Sequence, residues 1–441
     1  MARVIVLGSN FAGMTAAIAV KKQAGRRLGM RNRRCRILIE HMMRTVTRLS
    51  RQHVAAMAVV FLAGSMLPTA TARGQQAAPQ DTATHRVSTV TLRTGGLVQM
   101  RYTLNHRAPL ASEHNWTSGF QVTRVRLILD ASASDRANLL VRAGVDGGGS
   151  FNIERAFADL HFGTTQLRMG QFYLPGAGEL YPDPERTLAT DYSPTGFTFD
   201  VGATQGVMAV FRPGRWRAAA VLHSGLRSGF AQAGAGGRAD AAATVYLERN
   251  LVGDTWSPFT QSSSFRGSPP ALKVGLAGTY QSGGKTGDTD SVKVLYVSAD
   301  VDVKGSGWNA FGQFMYQRSE PGEGFGVESG QTFDDMGFVV QGGAFVTQNL
   351  EIFLRYDQTI PDGKERDPTI SNGTGTHDFR TLTGGLSLFV LPGRPSARFS
   401  VDYQYMFDAQ TTSIVPAALN ASVFPSTGPQ WALRAQFVAS F

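Results

Sequence analysis

The feature that most constrains this chain is alternation. From about Gly95 to Phe441, segments of 10–15 residues place apolar and polar side chains at successive positions, and Gly, Asp, Ser, Asn and Pro separate the segments. In the last segment Trp431, Leu433, Ala435, Phe437, Ala439 and Phe441 share one face, while Arg434, Gln436 and Ser440 share the other. In the segment before it, Phe399, Val401, Tyr403, Tyr405 and Phe407 oppose Arg398, Ser400, Asp402, Gln404 and Asp408. Leu350, Ile352, Leu354 and Tyr356 oppose Glu351, Arg355 and Asp357, and Trp308, Ala310, Phe314 and Tyr316 oppose Asn309, Gln313 and Gln317. A period of two is the period of a β-strand.

Alternation alone also fits a soluble sandwich. Three features favour a membrane barrel. The segments exceed the usual strand length of about 5–6 residues. Their apolar faces end in Tyr, Phe and Trp, as aromatic girdles at two membrane interfaces do. The opposite faces keep charge along the strand, as a water-filled lumen requires. No stretch of this body approaches the roughly 20 apolar residues of a spanning helix, so any crossing must be by a closed barrel. No short internal repeat of a β-helix or propeller is present.

Counting segments gives about 16, the first near 95–106 and the last at 429–441. The expected fold is therefore all-β, a transmembrane antiparallel β-barrel of about 16 strands. An even count suits a bacterial barrel, and a barrel of that size leaves an aqueous channel.

Charge divides the chain. The formal net charge is +10, but residues 1–72 hold 12 Lys/Arg and one Asp/Glu, leaving 31 Lys/Arg against 32 Asp/Glu in residues 73–441. A nearly neutral body does not fit a nucleic-acid binder, which needs excess cations to neutralise phosphates. The one cysteine, Cys35, also lies before residue 73, which removes disulfides and thiolate metal sites from the body.

The first 72 residues read as two pieces. Ala2–Val20, ARVIVLGSNFAGMTAAIAV, resembles the first strand and phosphate-binding turn of flavoproteins such as the sulfide:quinone oxidoreductases. Gly8 and Gly13 match the outer glycines of that motif and Asn10 replaces the middle one. The second strand with its ribose-binding acid does not follow, so residues 1–41 are read as a spurious extension from a mis-assigned start. At 42–72 a signal peptide is expected: Arg44, Arg48 and Arg51 precede the apolar run Val54–Leu67, and Ala70-Thr71-Ala72 offers a cleavage site. Residues 73–94 then read as a polar periplasmic lead-in, and 95–441 as the barrel.

Two stretches go beyond architecture: GFQVTRVRLILDASASDRANLLVRAGVD (119–146) and FNIERAFADLHFGTTQLRMGQFYLPGAGEL (151–180). They resemble the phosphate-selective porin O and P family over about 70 residues. The resemblance implies a 16-stranded outer-membrane barrel, usually a homotrimer, that passes small anions such as phosphate. The last strand, with Trp431, Leu433, Phe437 and the terminal Phe441, resembles the C-terminal signal read by the outer-membrane barrel-assembly machinery.

Within the motif region, Arg124 and Arg126, then Arg142, Arg155 and Arg168, fall on inward faces of four neighbouring strands. An arginine facing lipid at mid-depth would cost roughly 2–4 kcal/mol, which disfavours the outward choice. Asp130, Asp146 and Asp159 share those faces, so the arginines either form an ion-paired wall, steer anions, or do both. The loop Pro175–Thr198 is long enough to imply function. By analogy with porins it is the third extracellular loop, which folds inward and constricts the pore. Glu179, Asp183, Glu185 and Asp191 make it acidic, with Arg186 its single base. Facing the arginine wall, the loop would set up a transverse field; otherwise its acids merely solvate an exposed loop. A phosphate-selective constriction calls for Lys/Arg, so an acidic loop points to weak or general selectivity.

No enzyme signature emerges. The histidines show no H-E-x-x-H spacing, and no G-x-S-x-G occurs. No catalytic residue, cofactor or metal is expected. The functional reading is a passive outer-membrane channel for small hydrophilic solutes; the alternative is a non-conducting structural or adhesion barrel. The implied partners are outer-membrane lipid, the assembly machinery and further copies of the chain.

Overall fold

The computed structural model describes residues 90–441, except 109–113, 147–148, 150, 177, 181, 230–238, 240, 284, 287–289, 321–330, 365–376 and 411–422. The dinucleotide-binding-like stretch within 1–41, the signal peptide at 42–72 and residues 73–89 of the lead-in lie outside the described residues.

The strands run β1 Thr91–Arg107, β2 Trp116–Ser134, β3 Ala137–Asp146, β4 Phe151–Phe162, β5 Thr165–Tyr173, β6 Ala203–Phe211, β7 Trp216–His223, β8 Ala241–Val252 and β9 Ala271–Ser282. They continue with a small hairpin of β10 Lys285–Thr286 and β11 Asp290–Ser291, then β12 Lys293–Gly305, β13 Trp308–Glu320 and β14 Phe333–Phe345. The last four are β15 Leu350–Ile360, β16 Phe379–Phe389, β17 Ala397–Met406 and β18 Gln430–Ser440. All but β10 and β11 join into one closed antiparallel barrel of sixteen strands, each paired with its neighbours in sequence and β1 paired with β18. β1 begins inside the stretch read as lead-in, because Thr91–Thr94 already pair with Leu129–Ser132 of β2.

The seam between first and last strands runs from Leu97 opposite Ser440 to Arg107 opposite Gln430. Beyond it, Phe441 N–H donates to Gly96 O at 3.1 Å, and Gly96 N–H donates to Phe441 O at 3.2 Å. A Cβ on Gly96 would stand 2.6 Å from the Phe441 ring, so the glycine makes room for the terminal aromatic.

Alternation maps directly onto the wall. Trp431, Leu433 and Phe437 point outward, and Gln430, Arg434 and Gln436 point into the lumen, where they are buried. Outward aromatics cluster at both ends: His106, Trp116 and Trp431 stack at one rim, and Phe399 packs on Phe437 towards the other. A wall of this kind satisfies every strand–strand amide internally while showing lipid an apolar surface.

The expectation that inward faces stay charged along whole strands fails on β6 and β7. The inward charge of β7 is Arg217 near its start, and four of the inward positions of the two strands, Met208, Val210, Ala219 and Val221, are apolar and buried. The reason lies inside the barrel: these side chains belong to one apolar cluster with Leu174, Phe199 and Val201, which come from the connection between β5 and β6. Part of the lumen is thus a hydrophobic core.

Candidate functional site

The connection 174–202 folds inward and crosses the lumen. Its neck is closed by Leu174 N–H donating to Gly202 O at 3.1 Å, with Gly202 at φ +69°. From the neck it reaches β12, where Gly176 O accepts from the hydroxyls of Ser298 and Tyr296. Glu179 N–H then donates to Gln313 of β13 at 2.9 Å. The return pass contains a short helix, α1 Pro194–Thr198. Its cap is Ser193, whose Oγ accepts from Gly196 N–H at 2.8 Å, with proline in the first turn where no amide hydrogen is needed. Opposite it, a Cβ on Gly337 of β14 would strike Phe199 and Thr195, so the wall is notched there to seat the helix.

All four predicted loop acids are buried or half-buried against arginines. Asp191 binds Arg101 of β1 at 2.8 Å and Arg124 of β2 at 3.3 Å. Asp183 binds Arg142 of β3 at 2.6 Å and Arg155 of β4 at 2.8 Å. Glu185 lies 3.5 Å from Arg126 and 3.7 Å from Arg142. Glu179 goes elsewhere: it faces Arg355 of β15 at 3.3 Å rather than the arginines of β2–β5, and also accepts from Ser193. The loop therefore grips two walls of the barrel. Because the acids contact the guanidiniums directly, they do not stand across open water from them, and the alternative of acids solvating an exposed loop does not hold.

Electrostatics follow the contacts. Burial pushes the Asp183 carboxyl up, but Arg155 and Arg142 outweigh it and hold the group at about 2. Burial opposes ionisation of Asp191 as well, and Arg124 with Arg101 holds it well below the usual carboxylate range. For Glu179 burial wins over Arg355, and the carboxyl is raised.

The five predicted wall arginines all project inward. Arg124, Arg126 and Arg142 are buried; Glu154 bridges the last two at 2.6 and 3.1 Å. Glu154 reaches that position through a bulge, since Arg142 pairs with Arg155 and Ala143 with Ile153. Arg155 and Arg168 differ from these three. Arg155 stacks 4.8 Å over Tyr173, and Arg168 binds Asp159 at 2.8 Å while lying 3.7 Å over the Phe157 ring. Asp130 continues the inward register of β2, and the side chain of Asp146 is outside the described residues.

Two cavities lie beside the loop along the wall of β4–β8. The larger, about 380 Å³, extends from Arg155 and Tyr173 to Arg212 in the β6–β7 turn. The smaller, about 250 Å³, extends towards Asn152 and Ala203 at the opposite ends of their strands. Arg155, Tyr173, Asp183 and Asp200 line both and so form the waist between them. Arg186, the loop's one base, faces the larger cavity, is exposed, and has no side-chain partner among the described residues.

A chain whose strands close into sixteen, with a loop between β5 and β6 laid across the lumen, has a recognisable relative in fold. This is the porin fold. The anion-selective porin from Comamonas acidovorans superposes with a TM-score of 0.56 at 11% identity, over 80% of this chain and 100% of that one. The outer-membrane expressed OmpT of Vibrio cholerae gives 0.52 at 12% identity, over 79% and 98%. The outer membrane channel DcaP of Acinetobacter baumannii gives 0.51 at 11% identity, over 79% and 97%. No protein-family model matches the sequence, and no curated protein matches it. The shared property is thus the fold of outer-membrane channels.

A second inward segment escapes the sequence reading. Counting from β1, the connections 135–136, 163–164, 212–215, 306–307, 346–349 and 390–396 form the short-turn rim, and 253–270 belongs to the same rim. This one is long and enters the lumen. Phe265 packs on Phe345 and Phe389 with ring centroids 5.1 and 4.9 Å away, Ser263 donates to Glu351, and Lys304 donates to the carbonyls of Gln261 and Ser262. Ser262 N–H donates to Arg186 O at 2.9 Å, so the two inward segments meet. The signal was available in the sequence: a long connection at a rim where short turns are the rule.

Proposed function

We propose that this chain is an outer-membrane porin that lets small hydrophilic solutes diffuse passively, with a preference for anions. The observation that supports the preference is the state of the loop charges. Glu179, Asp183, Glu185 and Asp191 are engaged by arginines, and the charged groups lining the larger cavity are five arginines, Arg155, Arg168, Arg186, Arg212 and Arg217, against two carboxylates, Asp183 and Asp200. An acidic loop therefore leaves a basic passage. The Comamonas acidovorans porin of the same fold is anion-selective, which agrees with this sign. Membership of the phosphate-selective porin O and P family is the finer form of the reading, supported by the motif region 119–180. On this reading residues 42–72 export the chain, cleavage follows Ala72, and the terminal strand with Phe441 addresses it to the assembly machinery. The mature barrel assembles as a homotrimer in the outer-membrane lipid. No chemical turnover is assigned to it.

The test is planar-bilayer recording of protein refolded from Arg73, with the reversal potential read in a KCl gradient. Stepwise conductance with a potential favouring chloride is expected. A folded barrel without conductance overturns the channel in favour of a structural barrel, and a potential favouring potassium overturns the anion preference.

A further inference from the structure

We propose that the larger cavity is a binding subsite for organic anions with an apolar body, aromatic monocarboxylates being the plain example, rather than for bare inorganic anions. The proposal rests on the channel reading and names its solute class.

Beside the two carboxylates of the waist, Asp183 and Asp200, the lining carries guanidiniums and apolar wall side by side. Guanidiniums stand at both ends: Arg155 and Arg186 near the waist, Arg212 and Arg217 near the short-turn rim. Between them the wall is apolar, with Met208, Val210, Ala219 and Tyr246 on the inward faces of β6–β8. Cross-strand register makes the strip continuous: Arg168 pairs with Met208, Val210 with Ala219, and Ala219 with Tyr246. A hydrated inorganic anion gains nothing from that strip, because apolar surface cannot replace its water shell. A carboxylate on a ring gains from both parts, its charge held by a guanidinium and its ring removed from water.

The packing of the loop explains only part of this apolar surface. Phe172, Phe199, Val221, Met315 and Val339 fill the core that seats the loop and do not line the cavity. Met208, Val210, Ala219 and Tyr246 belong to the same cluster yet also face open space. At about 380 Å³ the cavity is within the usual range for small-molecule sites, roughly 300–1,000 Å³, which are mostly apolar with a few placed polar groups. Arginine already lies against aromatic faces here, Arg155 on Tyr173 and Arg217 on Trp256, so flat π-surfaces are compatible with the site.

The experiment adds sodium benzoate, acetate, phosphate or neutral benzyl alcohol to single channels in KCl. Benzoate is expected to interrupt the current at a concentration at least tenfold below acetate and phosphate, and benzyl alcohol to have no comparable effect. Equal block by the three anions, or tighter block by phosphate, overturns the subsite while leaving the channel intact. Calorimetric titration of benzoate into the folded barrel in detergent reads the same site without current; no saturable heat overturns the subsite whatever the conductance. Absence of conductance with saturable benzoate binding would instead overturn the channel reading alone. Val210→Thr, nearly isosteric, is expected to raise the half-blocking concentration of benzoate several-fold without changing that of acetate. Arg186→Gln is expected to raise both, and a Val210→Thr channel that keeps the full benzoate preference would count against the apolar strip.

Discussion

Two walls of one lumen carry arginines in the same sequence pattern and use them differently. On β1–β3 the guanidiniums of Arg101, Arg124, Arg126 and Arg142 are almost fully buried and tied to loop carboxylates or Glu154. On β4–β8 Arg155, Arg168 and Arg217 lie over aromatic rings and border open cavity. The difference comes from what the connection 174–202 presents at each place. Arg155 stands between the two cases, since Asp183 of the loop binds it and it still borders both cavities; Arg168 and Arg217 pair with acids of the wall itself, Asp159 and Glu248, and lie where the loop presents Leu174 and Val201. A carboxylate brought by the loop therefore turns an inward arginine into a clamp, and Arg155 shows that a clamped guanidinium can still border the passage.

The largest effect should come from breaking the buried wall. Asp191→Asn removes the loop carboxylate that binds buried Arg101 and Arg124, a change that costs about 3–5 kcal/mol in comparable buried pairs. The loop should detach, and single-channel conductance should rise well above the parent value. Unchanged conductance would mean the apolar anchors hold the loop without the clamp. Next comes Phe265→Ala, which removes an aromatic from the cluster with Phe345 and Phe389 and should cost roughly 3 kcal/mol. Limited proteolysis should then cut within 253–270, while the 174–202 contacts and the anion preference persist.

Acid should mimic the first change more gently. A carboxyl whose folded value lies below its unfolded one contributes stability above the unfolded value and loses it as pH falls. Asp183, held at about 2, should release Arg142 and Arg155 progressively as pH drops from about 4 to 2. Conductance recorded across that window should rise reversibly, and a flat profile would argue that Asp183 does not hold the loop. The smallest effect on stability is expected from Arg186→Gln, within about 0.5 kcal/mol because the side chain is exposed. Its signature is a reversal potential shifted towards zero.

The barrel was legible because lipid enforces alternation: a register error would turn Arg434 or Asp402 to the membrane, so the outer face is written in plain period two. The inward direction of the five arginines followed from the same cost. Three things were not legible. Glu154 joins the inward face through a bulge, which a strict period misplaces. The partner of Glu179 is Arg355, from a strand far along the chain, and local patterning carries no such distance. The apolar inner face of β6 and β7 reads as an ordinary buried strand until the segment packed against it is known. The segment 253–270 was visible in principle, since parity places it on the short-turn rim, but only once strands are counted from one end.

The seat of the loop also depends on closure of the barrel. Thr190 and Asp191 sit on the seam: Arg101 and Arg124 come from the first two strands, while Asp402 of β17 accepts from Thr190 N–H and Gln436 of β18 donates to Thr190 O. Half of that seat is made by the last two strands of the barrel. That part of the seat is complete only where the final strand is paired with the first. This one anchor of the loop is in that sense an internal latch, complete only on a closed cylinder.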